Sequence, residues 1–340
     1  MNSIRGSFRH SKGYVLDYEV TRPEVVSSPY LHILYHGFSL VERHVPPVFA
    51  RKQWAAADGA VCLSLSDPIV RQTPDSACGW FLLGEEEFFP RVLELRNSLV
   101  EEWGLDGTIW HGLSSGGYAA LKYCARAGGE DLAFVVSPHN DPTILPQWER
   151  EAVPFLDLPG MAEPAVITDV LRGWNSPDSA RLLYAVIPEN DAYFALHHLR
   201  PVMESLDFHE SVRAVRLRDG RGHGFISNTD YDSQLREAVR LWQERLARKG
   251  ISHDVKVILP KSLAHYAGNE STIMVASGTF AQVMGQIQER FPHLRKRLTS
   301  ESGALLPFVS AYLGEDGVRN PETRIPARSS LLIVTAVAGG

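Results

Sequence analysis

Short apolar segments alternate with amphipathic segments over the first 248 residues, and this alternation constrains the fold more than any other feature of the sequence. The apolar segments have the length of buried strands, whereas EEEFFPRVLELRNSLVEEW places Phe88, Val92 and Leu99 close to helical spacing. Strands that alternate with helices build a mostly parallel, doubly wound sheet with helices on both faces. We therefore predict an α/β fold here. The predicted strands are YLHILYH, AVCLSLS, GTIWHG, LAFVVSP, RLLYAVIP and VRAVRLR.

The pattern changes after Gly250, which follows a helical segment and is a typical helix stop. Residues 251–340 have the order strand, strand, helix, strand, strand, and Thr279 with Gln282 predicts a capping box at the start of that helix. This segment carries nine basic and seven acidic residues, whereas residues 1–250 carry 25 basic and 33 acidic residues. We predict two domains, 1–250 and 251–340, the second a small α+β domain with one helix across its sheet.

Charge and composition exclude several classes of partner. The net charge of −6 provides no broad basic face for nucleic acid. Apolar runs such as LLIVTAVA are too short to span a bilayer, and the first residues lack the apolar core of a signal peptide, so we expect a cytoplasmic protein without a membrane partner. The three cysteines are widely spaced, and we expect neither a disulfide framework nor a metal site.

The segment TIWHGLSSGGYAALKY contains a G-x-S-x-G motif, Gly112 to Gly116, between a predicted strand and a predicted helix. Small residues two positions before and after the serine permit a strained turn that exposes the hydroxyl. Ser114 fits this frame and is the predicted nucleophile. Ser115 has Leu113 two positions before it, so we predict that Ser115 instead contributes its backbone N–H to an oxyanion hole.

The partners of a serine nucleophile are expected in the order acid, then histidine. Asp191 follows the strand RLLYAVIP, and His223 lies in a glycine-flanked loop after the next strand. Asp219 remains an alternative acid, although it lies only four residues before the histidine. Phe38 follows ILYHG, and Gly37 permits close backbone approach, so the Phe38 N–H is the second predicted oxyanion donor.

Three other histidines lie near these motifs. We predict that His197 and His198 are helix-surface or substrate-loop residues, and that His111, on the strand before the nucleophile, is a core or rim histidine. An alternative for the whole first domain is that it keeps the fold without the activity.

Residues 1–250 resemble the α/β-hydrolase superfamily, and GLSSGGYAALKY and VVSPHNDPTI resemble a compact branch of esterase-like proteins. The resemblance implies a serine hydrolase that cleaves a small-molecule ester, thioester or amide. The chain has no long helical lid, and the insertion DPTILPQWEREAVPFLDLPGMAEP is the segment that we expect to cover the site.

Residues 251–340 resemble the ThiS/MoaD family of ubiquitin-like sulfur carriers in VKVILPKSLAHYAG, TFAQVMGQIQERFPHLRKRL, PFVSAYLGEDGVR and LLIVTAVAGG. The resemblance implies a β-grasp fold and a Gly339-Gly340 tail whose carboxylate is adenylated by a ubiquitin-activating-type adenylyltransferase. A sulfur donor such as a rhodanese or cysteine desulfurase then forms a thiocarboxylate, which serves a downstream sulfur-acceptor enzyme. No bound cofactor is expected, because the partner uses ATP in trans. Glycines without Cβ atoms suit a narrow active-site slot.

Three functions remain open at this point. The chain is a sulfur carrier joined to a hydrolase of the same pathway, a hydrolase whose ubiquitin-like domain serves only for docking, or a carrier with an inactive hydrolase scaffold. A further hypothesis is that tethering raises the effective concentration of the tail near Ser114.

Overall fold

A computed structural model of the chain describes residues 2–38, 45–50, 59–73, 76–172, 174, 176, 179–207, 209–218, 222–251, 254–300 and 303–336. In chain order the strands β1 to β15 are Asn2–Arg9, Val15–Arg22, Tyr30–Tyr35, Val61–Leu65, Gly107–Leu113, Leu132–Val136, Leu182–Pro188, Val212–Leu217, Asp254–Ile258, Thr272–Ala276, Gly278–Thr279, Val309–Leu313, Asp316–Val318, Arg324–Ile325 and Ser330–Thr335. The helices α1 to α5 are Pro68–Gln72, Glu85–Glu102, Ser115–Ala127, Pro146–Glu151 and Ile167–Val170. Helix α6 consists of the consecutive segments Ala192–Phe194, Ala195–Leu199 and Arg200–Ser205, of which the middle one is π-helical. Helices α7 to α10 are Asn228–Arg248, Lys261–Ala264, Phe280–Arg290 and Pro292–Leu298.

The larger sheet has the strand order β1-β2-β4-β3-β5-β6-β7-β8 within the described residues. All neighbours from β4 to β8 are parallel, whereas β1 and β2 form an antiparallel hairpin at one edge. The predicted mostly parallel sheet is confirmed, and each of its six predicted strands is present. The N-terminal hairpin was not predicted, because its first strand exposes most of its side chains and lacks an apolar run.

Helices cover both faces of this sheet because successive strand residues point to opposite sides. Trp110 of β5 packs in the cluster that contains Phe88 of α2 and Tyr118 of α3. Its neighbour Ile109 packs in the other cluster, with Trp242 of α7. The strands β3 to β7 are therefore buried almost completely, as expected for parallel strands between two helical layers.

The smaller sheet has the order β10-β9-β15-β12-β13, with β15 parallel to β9 at its centre. Helix α9 packs on one face of this sheet through Val283, Met284 and Ile287. It begins with the predicted capping box, in which Thr279 and Gln282 each bond the other's backbone N–H. This order of strands with one crossing helix is the β-grasp arrangement that the resemblance implied.

Asp106, the residue directly before β5, joins the two sheets by polar contacts. Its carboxylate accepts hydrogen bonds from the Arg324 guanidinium at 3.1 Å and from the Ala327 N–H at 3.0 Å, and it also contacts the Ser277 hydroxyl. These contacts lie at the amino edge of the parallel strands, because Asp106 precedes its strand. The β-grasp part is thus docked at the edge of the large sheet opposite to Ser114.

None of the helices in the described part of the chain combines the length and apolarity needed to cross a membrane.

Candidate active site

The carboxyl edge of the large sheet carries the residues that the sequence marks as functional. Phe38 follows β3, Ser114 follows β5, Asp191 follows β7 and His223 lies in the loop after β8. Parallel strands present their carboxyl ends at one edge, and ligands of open α/β sheets bind there. The topology therefore collects residues that are far apart in the sequence.

The turn between β5 and α3 holds Ser114 in a strained conformation. Its φ of 55° and ψ of −119° lie outside the regions that non-glycine residues ordinarily occupy. A Cβ atom at Gly112 would lie 2.0 Å from the carbonyl oxygen of Gly116, and one at Gly116 would lie 2.5 Å from the carbonyl oxygen of His36. Backbone packing thus requires both glycines of the motif, and the resulting turn is a nucleophile elbow.

A continuous chain of hydrogen bonds leads from Ser114 to a buried carboxylate. The Ser114 Oγ lies 2.9 Å from Nε2 of His223, and Nδ1 of that ring lies 2.8 Å from Oδ2 of Asp191. Because a carboxylate only accepts hydrogen bonds, Nδ1 carries the proton and Nε2 offers a lone pair to the serine hydroxyl. Ser137 donates a further hydrogen bond of 2.6 Å to Oδ2 and so helps to fix the carboxylate. The alternative acid, Asp219, lies outside the described residues.

The predicted oxyanion donors lie beside the nucleophile. Ser115 is the first residue of α3, so its N–H has no acceptor within the helix and lies at the positive end of the helix dipole. A Cβ atom at Gly37 would lie 3.7 Å from the Cβ of Ser114, which places the backbone before Phe38 next to the turn. The Ser115 side chain is only 2% exposed, so its hydroxyl does not compete as a nucleophile. The oxyanion roles of both N–H groups stay predictions.

A second histidine contacts the nucleophile and was not predicted. His139 lies in the loop after β6, and its Nε2 is 3.0 Å from Ser114 Oγ. Its Nδ1 lies 2.8 Å from the indole Nε1 of Trp80. Burial lowers the pKa of His139 well below 6.5, and the nearby rings of His198 and His223 lower it further. The sequence VVSPHNDP places His139 just after a predicted strand, but the neighbouring loop residues have the same location, so this position alone did not identify it.

Aromatic side chains enclose the two histidines. The ring of Phe194, in α6, stacks on His223 with a centroid separation of 3.5 Å, and it lies 5.3 Å from the ring of His139. Trp80, which bonds to His139, packs on Trp148, with ring centroids 5.4 Å apart. Trp148 belongs to α4, within the insertion expected to cover the site. This part of the insertion therefore supports the wall beside His139.

The histidine pair of α6 corrects one prediction. His197 is exposed, as predicted, but the assignment of His198 to the surface or a substrate loop was wrong, because this side chain is fully buried. Its Nδ1 accepts the N–H of Asn140 at 3.1 Å, and burial lowers its pKa to about 4. The π-helical segment Ala195–Leu199 changes the spacing of this helix, so that α-helical periodicity misplaces the residue. His111 lies in the core, where it contacts the Tyr231 hydroxyl at 2.8 Å.

The predicted carrier tail, Gly339 and Gly340, lies outside the described residues, which end at residue 336. Strand β15, which leads towards the tail, is held on both sides by β9 and β12. Over the described ranges of the chain, no group of three or more His, Cys, Asp and Glu side chains is arranged to hold a metal ion.

Comparison with family models and with curated protein sequences gives no match. Among solved structures, the capsule O-acetyltransferase of Neisseria meningitidis serogroup A is similar over 69% of this chain and 93% of its own, with 10% identity and a TM-score of 0.52. This similarity concerns the fold. The esterase domain of a Rhodothermus marinus protein matches over 72% of this chain and 99% of its own, with 14% identity and a TM-score of 0.46. A chain of the Amycolatopsis orientalis BexX/CysO complex matches over 25% of this chain and 99% of its own, with 27% identity and a TM-score of 0.24.

Proposed function

We propose that residues 1–250 form a serine hydrolase and that residues 251–340 form a sulfur-carrier domain of the same biosynthetic pathway. The observation that carries the hydrolase is the hydrogen-bond chain from Ser114 through His223 to Asp191 at a strained elbow. An activated serine requires a base within hydrogen-bond reach and a third group that orients the base. The three side chains meet this requirement.

The proposed reaction begins when Ser114 Oγ attacks the acyl carbon of an ester, thioester or amide. His223 Nε2 takes the hydroxyl proton and then delivers it to the leaving group, while Asp191 stabilises the imidazolium. The N–H groups of Ser115 and Phe38 would bind the oxyanion. In the second half, water or another nucleophile gives a proton to His223 and attacks the acyl-enzyme, and the proton returns to Ser114 Oγ as the acyl bond breaks.

The rim of the site favours a substrate with an apolar portion. Loops at the carboxyl edge expose large apolar side chains: Phe38 after β3, Ile144 after β6, Tyr193 after β7 and Phe225 after β8. Large apolar side chains exposed at the same sheet edge as the nucleophile favour an apolar ligand. We therefore expect a small-molecule acyl ester or thioester rather than a strongly charged substrate.

The carrier proposal rests on the β-grasp strand order and on the Gly339-Gly340 pair that follows the last strand segment, LLIVTAVA. An adenylyltransferase with ATP would convert the Gly340 carboxylate to an acyl-adenylate, with release of pyrophosphate. A sulfur donor would then displace AMP and leave a thiocarboxylate, whose sulfur passes to an acceptor enzyme. A bare carboxylate is a poor electrophile, so the activating enzyme must exclude water while it holds the tail.

A fluorophosphonate probe tests the hydrolase. The wild-type protein is expected to be labelled on Ser114, and Ser114→Ala is expected to abolish labelling and the hydrolysis of p-nitrophenyl acetate. Ser115→Ala is the matched control, because it removes a buried hydroxyl but keeps the backbone N–H. Labelling that survives in Ser114→Ala would remove the assignment of the nucleophile.

Intact mass tests the carrier. After incubation with an activating enzyme, ATP and a sulfide source, the protein is expected to gain the mass difference of one oxygen replaced by sulfur. A variant that lacks Gly339 and Gly340 is expected to show no gain. If the full chain also shows none with an enzyme that activates a known carrier, the alternative holds, in which the β-grasp domain serves only for docking beside a serine hydrolase.

A further inference from the structure

The nucleophile has two imidazole neighbours rather than one, and only one of them can act as its base. His223 Nε2 and His139 Nε2 lie 2.9 Å and 3.0 Å from Ser114 Oγ. A serine hydroxyl has one proton to donate and two lone pairs with which to accept. It can therefore donate to one ring and accept from the other. The hydrogen-bond partners of each ring determine which histidine accepts and which donates.

The partner of His139 fixes its tautomer. The indole N–H of Trp80 is a donor and never an acceptor, so the His139 Nδ1 at 2.8 Å must present a lone pair. The ring is buried, and its neutral form carries one proton, which must then reside on Nε2. His139 consequently donates to Ser114 Oγ. His223 has the opposite arrangement, because the Asp191 carboxylate holds its proton on Nδ1.

We infer that His139 is a further catalytic residue of the proposed hydrolase, a fixed hydrogen-bond donor that stabilises negative charge on Ser114 Oγ. Trp80 is its positioning residue, since it acts through the tautomer of this ring. The inference rests on the proposed function, because it concerns the same nucleophile. It also excludes His139 as a general base, since neither of its nitrogens has a free lone pair directed at the serine.

In this role His139 keeps its proton throughout acylation and deacylation. During acylation the hydroxyl proton passes to His223 Nε2 and an Oγ electron pair forms the bond to the acyl carbon. During deacylation this bond breaks, its electrons return to Oγ, and the proton returns from His223. Negative charge collects on Oγ in both transition states, and hydrogen bonds to charged groups are about twice as strong as those between neutral groups. His139 therefore stabilises both transition states more than the resting hydroxyl.

Kinetics of two reactions test this role. His139→Ala is expected to slow fluorophosphonate labelling of Ser114 and the turnover of p-nitrophenyl acetate by roughly 10- to 100-fold, the size expected for one lost bond to a charged oxygen. His139→Gln is expected to recover part of the rate, because its amide can accept from Trp80 and donate to Ser114. The matched control is His32→Ala, which removes another buried neutral imidazole but has no contact with Ser114.

The experiments distinguish failure of the proposed hydrolase from failure of the inference about His139. Ser114→Ala with undiminished labelling would overturn the proposed hydrolase and this inference together. If Ser114→Ala abolishes labelling but His139→Ala reacts as fast as the wild type, only the inference fails. Equal rates for the alanine and glutamine variants would also overturn it.

Nuclear magnetic resonance of the wild-type protein with 15N-labelled histidine reports the tautomer of His139 directly, so this test does not depend on the folding of a variant. We expect His139 as the neutral tautomer with its proton on Nε2, unchanged between pH 8 and pH 6. In Trp80→Phe, which lacks the indole donor, we expect that tautomer to lose its exclusive population. A wild-type spectrum with the proton on Nδ1 would overturn the inference.

Discussion

At the scale of single residues, the buried histidines are held neutral by their surroundings. Burial lowers the pKa of His32 to about 3 and that of His198 to about 4, from an ordinary value of 6.5. The unfolded chain therefore binds protons at these sites at a higher pH than the folded protein does. Their contribution to stability is complete above pH 6.5 and is lost as the pH falls towards the folded pKa values.

We expect the free energy of unfolding to fall by about 1.4 kcal/mol per pH unit for each such histidine below pH 6.5. His32→Asn should flatten this dependence, because it removes one of the titrating groups from the unfolded chain. Urea unfolding at several pH values between 7 and 5 measures the slope. His197→Asn is the control substitution, since that side chain is exposed. An unaltered slope in His32→Asn would contradict the prediction.

The sequence allowed Ser114, Asp191 and His223 to be predicted as one group, because each follows a predicted strand and their order along the chain is diagnostic. His139 has the same type of location, but its importance depends on which atom of its ring faces the serine. That orientation is determined by Trp80, which lies 59 residues earlier in the chain. Such a contact depends on side-chain packing from two distant loops, and strand alternation carries no information about it.

At the scale of elements, the strained elbow depends on the close approach of α3 to β3 and β5. A Cβ atom at Gly116 would meet backbone carbonyl oxygens of His36 and Tyr35 at 2.5 Å, and backbone atoms have no alternative rotamer with which to move aside. Gly116→Ala should therefore destabilise the protein by about 1–3 kcal/mol, as overpacking does, and should displace Ser114 from His223. Thermal melting and fluorophosphonate labelling measure the two effects.

Gly285→Ala in α9 is the matched control for this substitution. A Cβ atom there meets no atom within 4 Å, and replacing a glycine by alanine inside a helix stabilises by up to about 1 kcal/mol. We expect normal labelling and an equal or higher melting temperature. If Gly116→Ala behaved like this control, the proposed steric origin of the elbow would be incorrect.

Elements with a strong apolar pattern were the ones that the sequence predicted. The buried parallel strands and the amphipathic helix α9 were identified because burial on one or both faces dictates their composition. The β1–β2 hairpin was missed, since it lies at the sheet edge and its outer strand is largely exposed. The two-residue strands β11 and β14 were missed for another reason, because their pairing follows from the packing of the loops around α9.

At the scale of the whole molecule, the junction and the proposed active site lie at opposite edges of one sheet. Strand β5 connects Asp106 to Ser114, and its seven residues extend about 23 Å. The junction is therefore separated from Ser114 by the length of this strand.

Because the junction and Ser114 lie at opposite ends of β5, hydrolysis of p-nitrophenyl acetate should be independent of the junction. Asp106→Ala leaves the largely buried Arg324 guanidinium without its carboxylate, and removing one partner of a buried ion pair typically costs about 3–5 kcal/mol. We expect the variant to unfold in two separated transitions, because the β-grasp part is then uncoupled from the large sheet. Below both transition temperatures, turnover should stay within about twofold of the wild type, because the substitution is remote from Ser114. Calorimetry and steady-state kinetics provide the two measurements.

The double variant Asp106→Ala with Arg324→Met is the control. It should restore part of the coupling between the two sheets, since it leaves no unpaired charge at the junction. A loss of turnover in Asp106→Ala with a single, unshifted transition would instead mean that the β-grasp domain communicates with Ser114 through the sheet.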